Sequence, residues 1–167
     1  MAEVPRTKTD IQGLDQILNG GIPDEHSIVV SGTSGAGKTT LTTQFLYNGA
    51  KNYDDKGLYF TLEEPARNII ETSKNFNMDF ENDEGVAGKV KFHEELELMR
   101  KGSGGKVFEP ERFIDGFKRQ NEEDNPDRVV LDSSTKFAMV FDLTPLRREK
   151  VSEVAQFLWE QECAFCL

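Results

Sequence analysis

Apolar residues along this chain fall in short blocks that alternate between strand-like and helix-like spacing. Residues 26–31, 58–62 and 128–132 have apolar centres rich in β-branched or aromatic side chains, which is typical of buried strands. Residues 40–50 and 109–121 carry apolar side chains at three- and four-residue intervals, which predicts amphipathic helices. This alternation predicts an α/β fold with a mostly parallel central sheet covered by helices on both faces.

Weaker patterns predict the remaining elements. They are a short helix over 11–18, a helix that begins at Pro65 and continues over 66–76, an edge strand over 89–93, a long helix over 146–160 and a strand that starts near Cys163. Two polar, glycine-bearing stretches, 77–88 and 101–106, predict surface loops. There is no internal repeat, so we expect one domain over residues 1–167.

A glycine-rich motif follows the first predicted strand. Residues 32–39 match the pattern G-x-x-x-x-G-K-[ST] and lie between a predicted strand and a predicted helix, the setting of a phosphate-binding loop. We expect Lys38 to contact the β- and γ-phosphates and the Thr39 hydroxyl to ligate Mg²⁺. A glycine-rich turn without a ligand is the alternative, and eight matched positions disfavour it. The residues predicted to bind ATP or ADP are Thr33, Ser34, Gly35, Ala36, Gly37, Lys38, Thr39 and Thr40.

Acidic residues follow the other two predicted strands, at the sheet edge where parallel α/β folds bind ligands. Asp132 ends the third strand and is predicted to organise Mg²⁺, usually through a water. Glu63 and Glu64 follow the second strand, where they could orient and deprotonate an attacking water. Alternatively, this pair is a solvated acidic cluster that favours the start of the helix at Pro65. Charge alone leaves both roles open.

The charge balance limits the partners that this chain can bind. It has 30 acidic and 20 basic side chains, a net charge of −10 and a pI near 4.7. Because a binder of phosphate backbones needs a basic face, we expect DNA binding to be weak. No run of residues is long and apolar enough for a membrane helix, and residues 1–9 lack the apolar core of a signal peptide. We therefore expect a cytoplasmic protein without membrane contact.

The two cysteines, Cys163 and Cys166, form a C-x-x-C spacing near the end of the sequence. Zinc sites usually need a second pair of ligands, and redox pairs usually open a helix. Here the surrounding residues are apolar and favour a strand. We expect both cysteines to be core residues.

The order of these motifs resembles the KaiC-like branch of the RecA superfamily. The resemblance covers nearly the whole chain and rests on Gly13-Leu14-Asp15, Gly20-Gly21-Ile22-Pro23 and residues 31–40, 44–49, 61–65 and 128–133. It implies a three-layer αβα, RecA-like P-loop NTPase that hydrolyses ATP with Mg²⁺ and assembles as a homo-oligomeric ring. It also implies that Glu63 and Glu64 are the catalytic glutamate pair, with Glu63 the first choice for general base. The expected catalytic residues are Glu63, Glu64 and Lys38.

Two further expectations come from the family pattern. The strand near Cys163 should lie between the P-loop strand and the strand that ends in Asp132. The family domain continues past that strand, so the resemblance implies an incomplete domain with slow turnover and a role in signalling or regulation. A nucleotide-dependent interaction module without useful turnover, a serine/threonine autokinase and a RadA-like recombination ATPase stay open as alternatives. The protein partner is not evident from the sequence.

Overall fold

The computed structural model describes residues 4–24, 26–94, 110–132 and 164–166. For residues 110–114 and 164–166 it describes the backbone alone. The predicted loop over 101–106, the predicted helix over 146–160 and Cys163 lie outside the described residues.

Strands and helices alternate through the described chain from β3 to β6. In chain order the elements are β1 (Arg6–Thr7), α1 (Leu14–Ile17), β2 (Ile22–Pro23), β3 (Ser27–Ile28), α2 (Lys38–Tyr53), β4 (Gly57–Thr61), α3 (Ala66–Lys74), β5 (Val90–Glu94), α4 (Pro110–Asp124), β6 (Arg128–Asp132) and β7 (Ala164–Cys166). In these described ranges, none of the helices has the length and apolar character that a membrane crossing requires.

The main sheet has five parallel strands in the order β3-β7-β6-β4-β5. The strand β7 lies between β3 and β6, which confirms the position that the resemblance implied for it. The strand β5 is at one edge, as its alternating pattern predicted. Thr61 is in register with both Asp132 and Glu94, so the carboxyl ends of three strands meet at one level of the sheet.

Helices cover both faces of this sheet. On one face, Tyr59 of β4 packs in a buried cluster with Phe45 of α2 and Ile69 of α3. On the other face, Phe60 contacts Phe117 of α4, with ring centroids 5.2 Å apart. Consecutive strand residues point to opposite faces, which explains how neighbouring aromatic residues serve two different layers. The three-layer αβα prediction is confirmed.

The first strand differs from its prediction. A buried strand over 26–31 was expected, but β3 comprises only Ser27 and Ile28, and Val29 is 66% exposed. The reason is that β3 is an edge strand that pairs with β7 alone, through these two residues. The predicted helix over 11–18 is likewise shortened to Leu14–Ile17, since Gly13 adopts a φ of 82°, which a right-handed helix does not contain.

Residues 77–88 form a loop as predicted, but not one that lies wholly on the surface. Met78, Phe80 and Val86 are buried against Tyr47 and Ala50 of α2. Three apolar residues among polar neighbours are too few to give a recognisable period. Their burial could therefore not be anticipated from the pattern.

The buried side chain of Arg128 connects α2 to β6. Its Nε donates a hydrogen bond to Asp55 Oδ2 at 2.7 Å, and its Nη1 donates to the carbonyl oxygen of Phe45 at 3.0 Å. The guanidinium carbon lies 4.6 Å from the centroid of the Phe45 ring, a cation–π arrangement. Together these contacts hold α2 against β6, the strand that ends in Asp132.

The segment before β3 is docked on α2 as well. Asn48 Nδ2 donates hydrogen bonds to the carbonyl oxygens of Thr9 and Asp10, at 3.1 and 2.9 Å. The Asp15 carboxylate accepts hydrogen bonds from the backbone N–H groups of the same two residues, at 2.9 and 3.0 Å. These contacts give Asp15 and Asn48, which belong to two of the sequence motifs, a structural role.

Candidate nucleotide-binding site

The loop over residues 32–39 joins β3 to α2, and its glycines allow its tight path. Gly35 and Gly37 have φ values of 80° and 87°, in the left-handed region that other residues rarely adopt. A Cβ atom on Gly32 would lie 3.1 Å from the Cβ of Ala36, so this position also leaves little room for a side chain. The backbone N–H groups of such a turn, together with the N-terminus of a 16-residue helix, form an environment that favours anions.

Lys38 is the first residue of α2, and its side chain folds back over the loop. Its Nζ donates hydrogen bonds to the carbonyl oxygens of Gly32 and Thr33, at 2.8 and 3.1 Å. Lys38 is half-buried, and its ammonium group lies against the curled backbone of the loop. A positive charge is therefore present where the loop geometry favours a phosphate.

Thr39 and Asp132 come together although they are 93 residues apart in the sequence. The Thr39 hydroxyl donates a hydrogen bond to Asp132 Oδ2 at 3.0 Å. The two residues predicted to serve one magnesium ion are thus in direct contact. A hydroxyl and a carboxylate offer the hard oxygen ligands that Mg²⁺ prefers, so the donor chemistry fits this ion.

Thr39 and Asp132 form a small group of oxygen ligands. Across the part of the chain that the structure describes, no group of three or more His, Cys, Asp or Glu side chains could hold a metal ion.

Tyr59 also contacts Asp132, a contact that the sequence pattern does not reveal. Its hydroxyl lies 2.5 Å from Asp132 Oδ2 and donates a hydrogen bond to it. Burial and the nearby negative charge of Asp132 raise the pKa of the Tyr59 hydroxyl far above its usual value, so it keeps its proton at neutral pH. The strand of Tyr59 pairs with the strand of Asp132, and the structure, not the sequence pattern, shows this pairing.

Glu63 and Glu64 are exposed in the turn between β4 and α3. The turn is fixed by the buried residue Thr61, whose hydroxyl donates to the carbonyl oxygen of Glu64 at 2.7 Å and accepts from its N–H at 3.3 Å. Because Thr61 is in register with Asp132, the glutamates follow a strand end at the level of Asp132. Their roles stay a prediction.

Glu94 is a second residue that the sequence pattern did not single out. It is the last residue of β5, and its Oε1 accepts a hydrogen bond of 2.7 Å from the backbone N–H of Ala66, the first residue of α3. The predicted edge strand ended one residue before it. The carboxylate thus supports the end of the turn that carries Glu63 and Glu64.

The structure has a five-stranded parallel sheet covered by helices on both faces, and the edge strand β3 leads into the loop of residues 32–39. These features define the class of the protein. It is a P-loop NTPase fold of the RecA type, with the loop of residues 32–39 and Asp132 brought to the same site.

The comparisons with known proteins identify the family. The family model described as "ATPase: KaiC" matches residues 7–166, and the chain belongs to this KaiC ATPase family. It is 35% identical over 153 residues to the circadian clock oscillator protein KaiC of Picosynechococcus sp., covering 89% of this chain and 28% of that protein. The KaiC of Synechococcus elongatus is 33% identical over 156 residues, covering 92% of this chain and 30% of that protein. The chain thus spans less than a third of the length of these curated relatives.

A solved structure gives the same family. The crystal structure of a KaiC-like protein from the hyperthermophilic archaeon Pyrococcus horikoshii matches with a TM-score of 0.80 and 30% sequence identity. The match covers 99% of this chain and 70% of that one. The predicted RecA-like fold and the KaiC-like resemblance are confirmed.

Proposed function

We propose that this chain binds MgATP at the loop of residues 32–39 and hydrolyses it. The observation that carries the proposal is the hydrogen bond between Thr39 and Asp132, because it joins the phosphate-binding loop to the acidic strand end in one site. The backbone N–H groups of residues 33–40 hold the phosphates. Lys38 exchanges the carbonyl oxygens of Gly32 and Thr33 for oxygens of the β- and γ-phosphates.

The magnesium ion would be held by Thr39 directly and by Asp132, usually through a water. When bound, it neutralises charge on the β- and γ-phosphates. The hydrogen bond to Asp132 occupies the proton of the Thr39 hydroxyl, which leaves the lone pairs of the hydroxyl oxygen for a cation. The chain therefore orients its hydroxyl ligand before nucleotide arrives.

The glutamate pair would act on the attacking water. Glu63 accepts a proton as the water oxygen bonds to the γ-phosphorus, while the bond from the γ-phosphorus to the bridging oxygen of ADP breaks. The products are ADP and inorganic phosphate. Glu64, fixed by its backbone hydrogen bonds to Thr61, lies next in the same turn and helps to orient the water.

A matched pair of substitutions tests this assignment. Glu63→Gln keeps the shape of the side chain but cannot accept the proton, so we expect ATP affinity to be preserved and phosphate release to slow by about tenfold or more. Glu64→Gln, in the same turn, should slow it less. Normal release by Glu63→Gln together with a large loss in Glu64→Gln would reverse the two roles.

We further propose that residues 1–167 form one ATPase domain that assembles as a homo-oligomeric ring and serves signalling or regulation. The membership of the KaiC ATPase family supports this proposal. Light scattering with and without MgATP tests the assembly. A mass of several chains in the presence of MgATP is expected, and a monomer under both conditions contradicts it.

A further inference from the structure

A buried hydroxyl lies behind the predicted magnesium pair. Tyr59 is 0% exposed, and its ring stacks on Phe92 with centroids 5.3 Å apart and an interplanar angle of 23°. It also belongs to the core cluster with Phe45. A hydroxyl in such surroundings needs a hydrogen-bond partner, and the Tyr59 hydroxyl donates its proton to Asp132 Oδ2.

Two hydroxyl donors converge on this one carboxylate oxygen. Tyr59 donates to Asp132 Oδ2 from within the sheet at 2.5 Å, and Thr39 donates to the same oxygen from the P-loop helix at 3.0 Å. A carboxylate with one hydrogen bond can still rotate about its side-chain torsions. Two donors from different elements restrict that rotation, and Tyr59 is itself buried in a core cluster.

We propose that Tyr59 is a positioning residue for magnesium binding, acting through Asp132. This inference rests on the proposed function. The phenol holds Asp132 at the orientation in which its oxygen accepts the proton of Thr39. The lone pairs of the Thr39 hydroxyl then stay available to the cation that accompanies the nucleotide.

The chain offers a matched control for this hydroxyl. Tyr47 is another tyrosine whose hydroxyl donates to a carboxylate, that of Asp83. It lies nine residues after Lys38 on α2 and packs against the loop of residues 77–88. Tyr47→Phe removes the same group without touching Asp132.

The test is a titration of Mg²⁺ into a mixture of protein and a fluorescent ADP analogue, with nucleotide affinity read by anisotropy. Tyr59→Phe keeps the ring and its stacking on Phe92, and circular dichroism checks its fold. We expect its nucleotide affinity in EDTA to equal that of the parent, while the Mg²⁺ concentration for half-maximal tightening rises about tenfold, the lower end for outer-shell partners of metal ligands. Tyr47→Phe should titrate like the parent.

A double-mutant cycle separates positioning from a merely structural role. In an Asp132→Ala background, Tyr59→Phe should not shift the Mg²⁺ titration further, since the group through which Tyr59 acts is gone. An unchanged titration in the single variant, or an equal shift in both backgrounds, would overturn the inference. If the parent shows the Mg²⁺ dependence and Tyr59→Phe titrates like it, the inference fails alone, whereas a parent that binds no nucleotide, or binds it without Mg²⁺ dependence, overturns the proposed function as well.

Discussion

Gly49→Ala is expected to destabilise the protein even though it places a better helix former inside α2. A Cβ atom on Gly49 would lie 2.3 Å from Nε, 2.5 Å from Cζ and 2.6 Å from Cδ of Arg128. These separations are far shorter than van der Waals contact, so one of the two groups must move. Arg128 is 2% exposed and is held by Asp55 and by the carbonyl oxygen of Phe45.

The size of the effect follows from two opposing terms. Alanine in place of glycine stabilises a helix interior by about 1 kcal/mol. Displacing Arg128 breaks a buried ion pair, which costs about 3–5 kcal/mol when one partner is lost. The Asp55 side chain is 23% exposed and can be partly solvated, so the lower part of that range applies. We expect a net loss of about 2–3 kcal/mol in the free energy of unfolding.

Urea unfolding at pH 7 measures this loss, and an Arg128→Ala background provides the control. Without the guanidinium there is no clash, so Gly49→Ala should then be neutral or stabilising. A Gly49→Ala variant as stable as the parent, or more stable, would refute the reasoning. It would mean that the contact between Arg128 and α2 adapts without loss.

Two further predictions concern stability. Glu94→Ala removes the acceptor for the Ala66 N–H and should lower the free energy of unfolding by about 1 kcal/mol, whereas Glu94→Gln keeps an acceptor oxygen and should cost less in the same urea experiment. Hydrogen bonds from Lys51 and Tyr47 lower the pKa of Asp83 from 3.8 to about 2. Its contribution is therefore present above pH 4 and is lost as the pH falls toward 2, so Asp83→Asn should weaken the dependence of the urea midpoint on pH in that window. An unchanged pH profile would contradict this role.

The fold could be predicted largely because its signals are local. A short apolar run, a glycine-rich turn and an amphipathic stretch are adjacent in the sequence, and they become β3, the loop and α2. The strand β6 has the predicted bounds, Arg128–Asp132, because its apolar centre and its polar ends are adjacent as well. The predicted length of β3 was wrong, because that length depends on how many residues pair with β7, its single neighbour.

The supporting contacts of the site could not be predicted because they join distant segments. Tyr59 and Asp132 are 73 residues apart, and Ala66 and Glu94 are 28 apart. No periodicity relates such positions. In the sequence, Tyr59 looks like one more aromatic residue of a buried strand, so its hydroxyl does not stand out as a functional group. Sequence motifs identified the groups expected to contact nucleotide, whereas the residues that orient them became visible only in the packed sheet.

Calorimetric titration of ATP with Mg²⁺ into the parent chain and Lys38→Ala tests the central claim most directly. Lys51→Ala, on the same helix but paired with Asp83, is the matched control. We expect saturable binding by the parent and by Lys51→Ala, and affinity roughly a hundredfold weaker or undetectable in Lys38→Ala, since charge-assisted contacts to the phosphates are lost. Equal ATP affinity in Lys38→Ala and the parent would contradict the assignment of the loop.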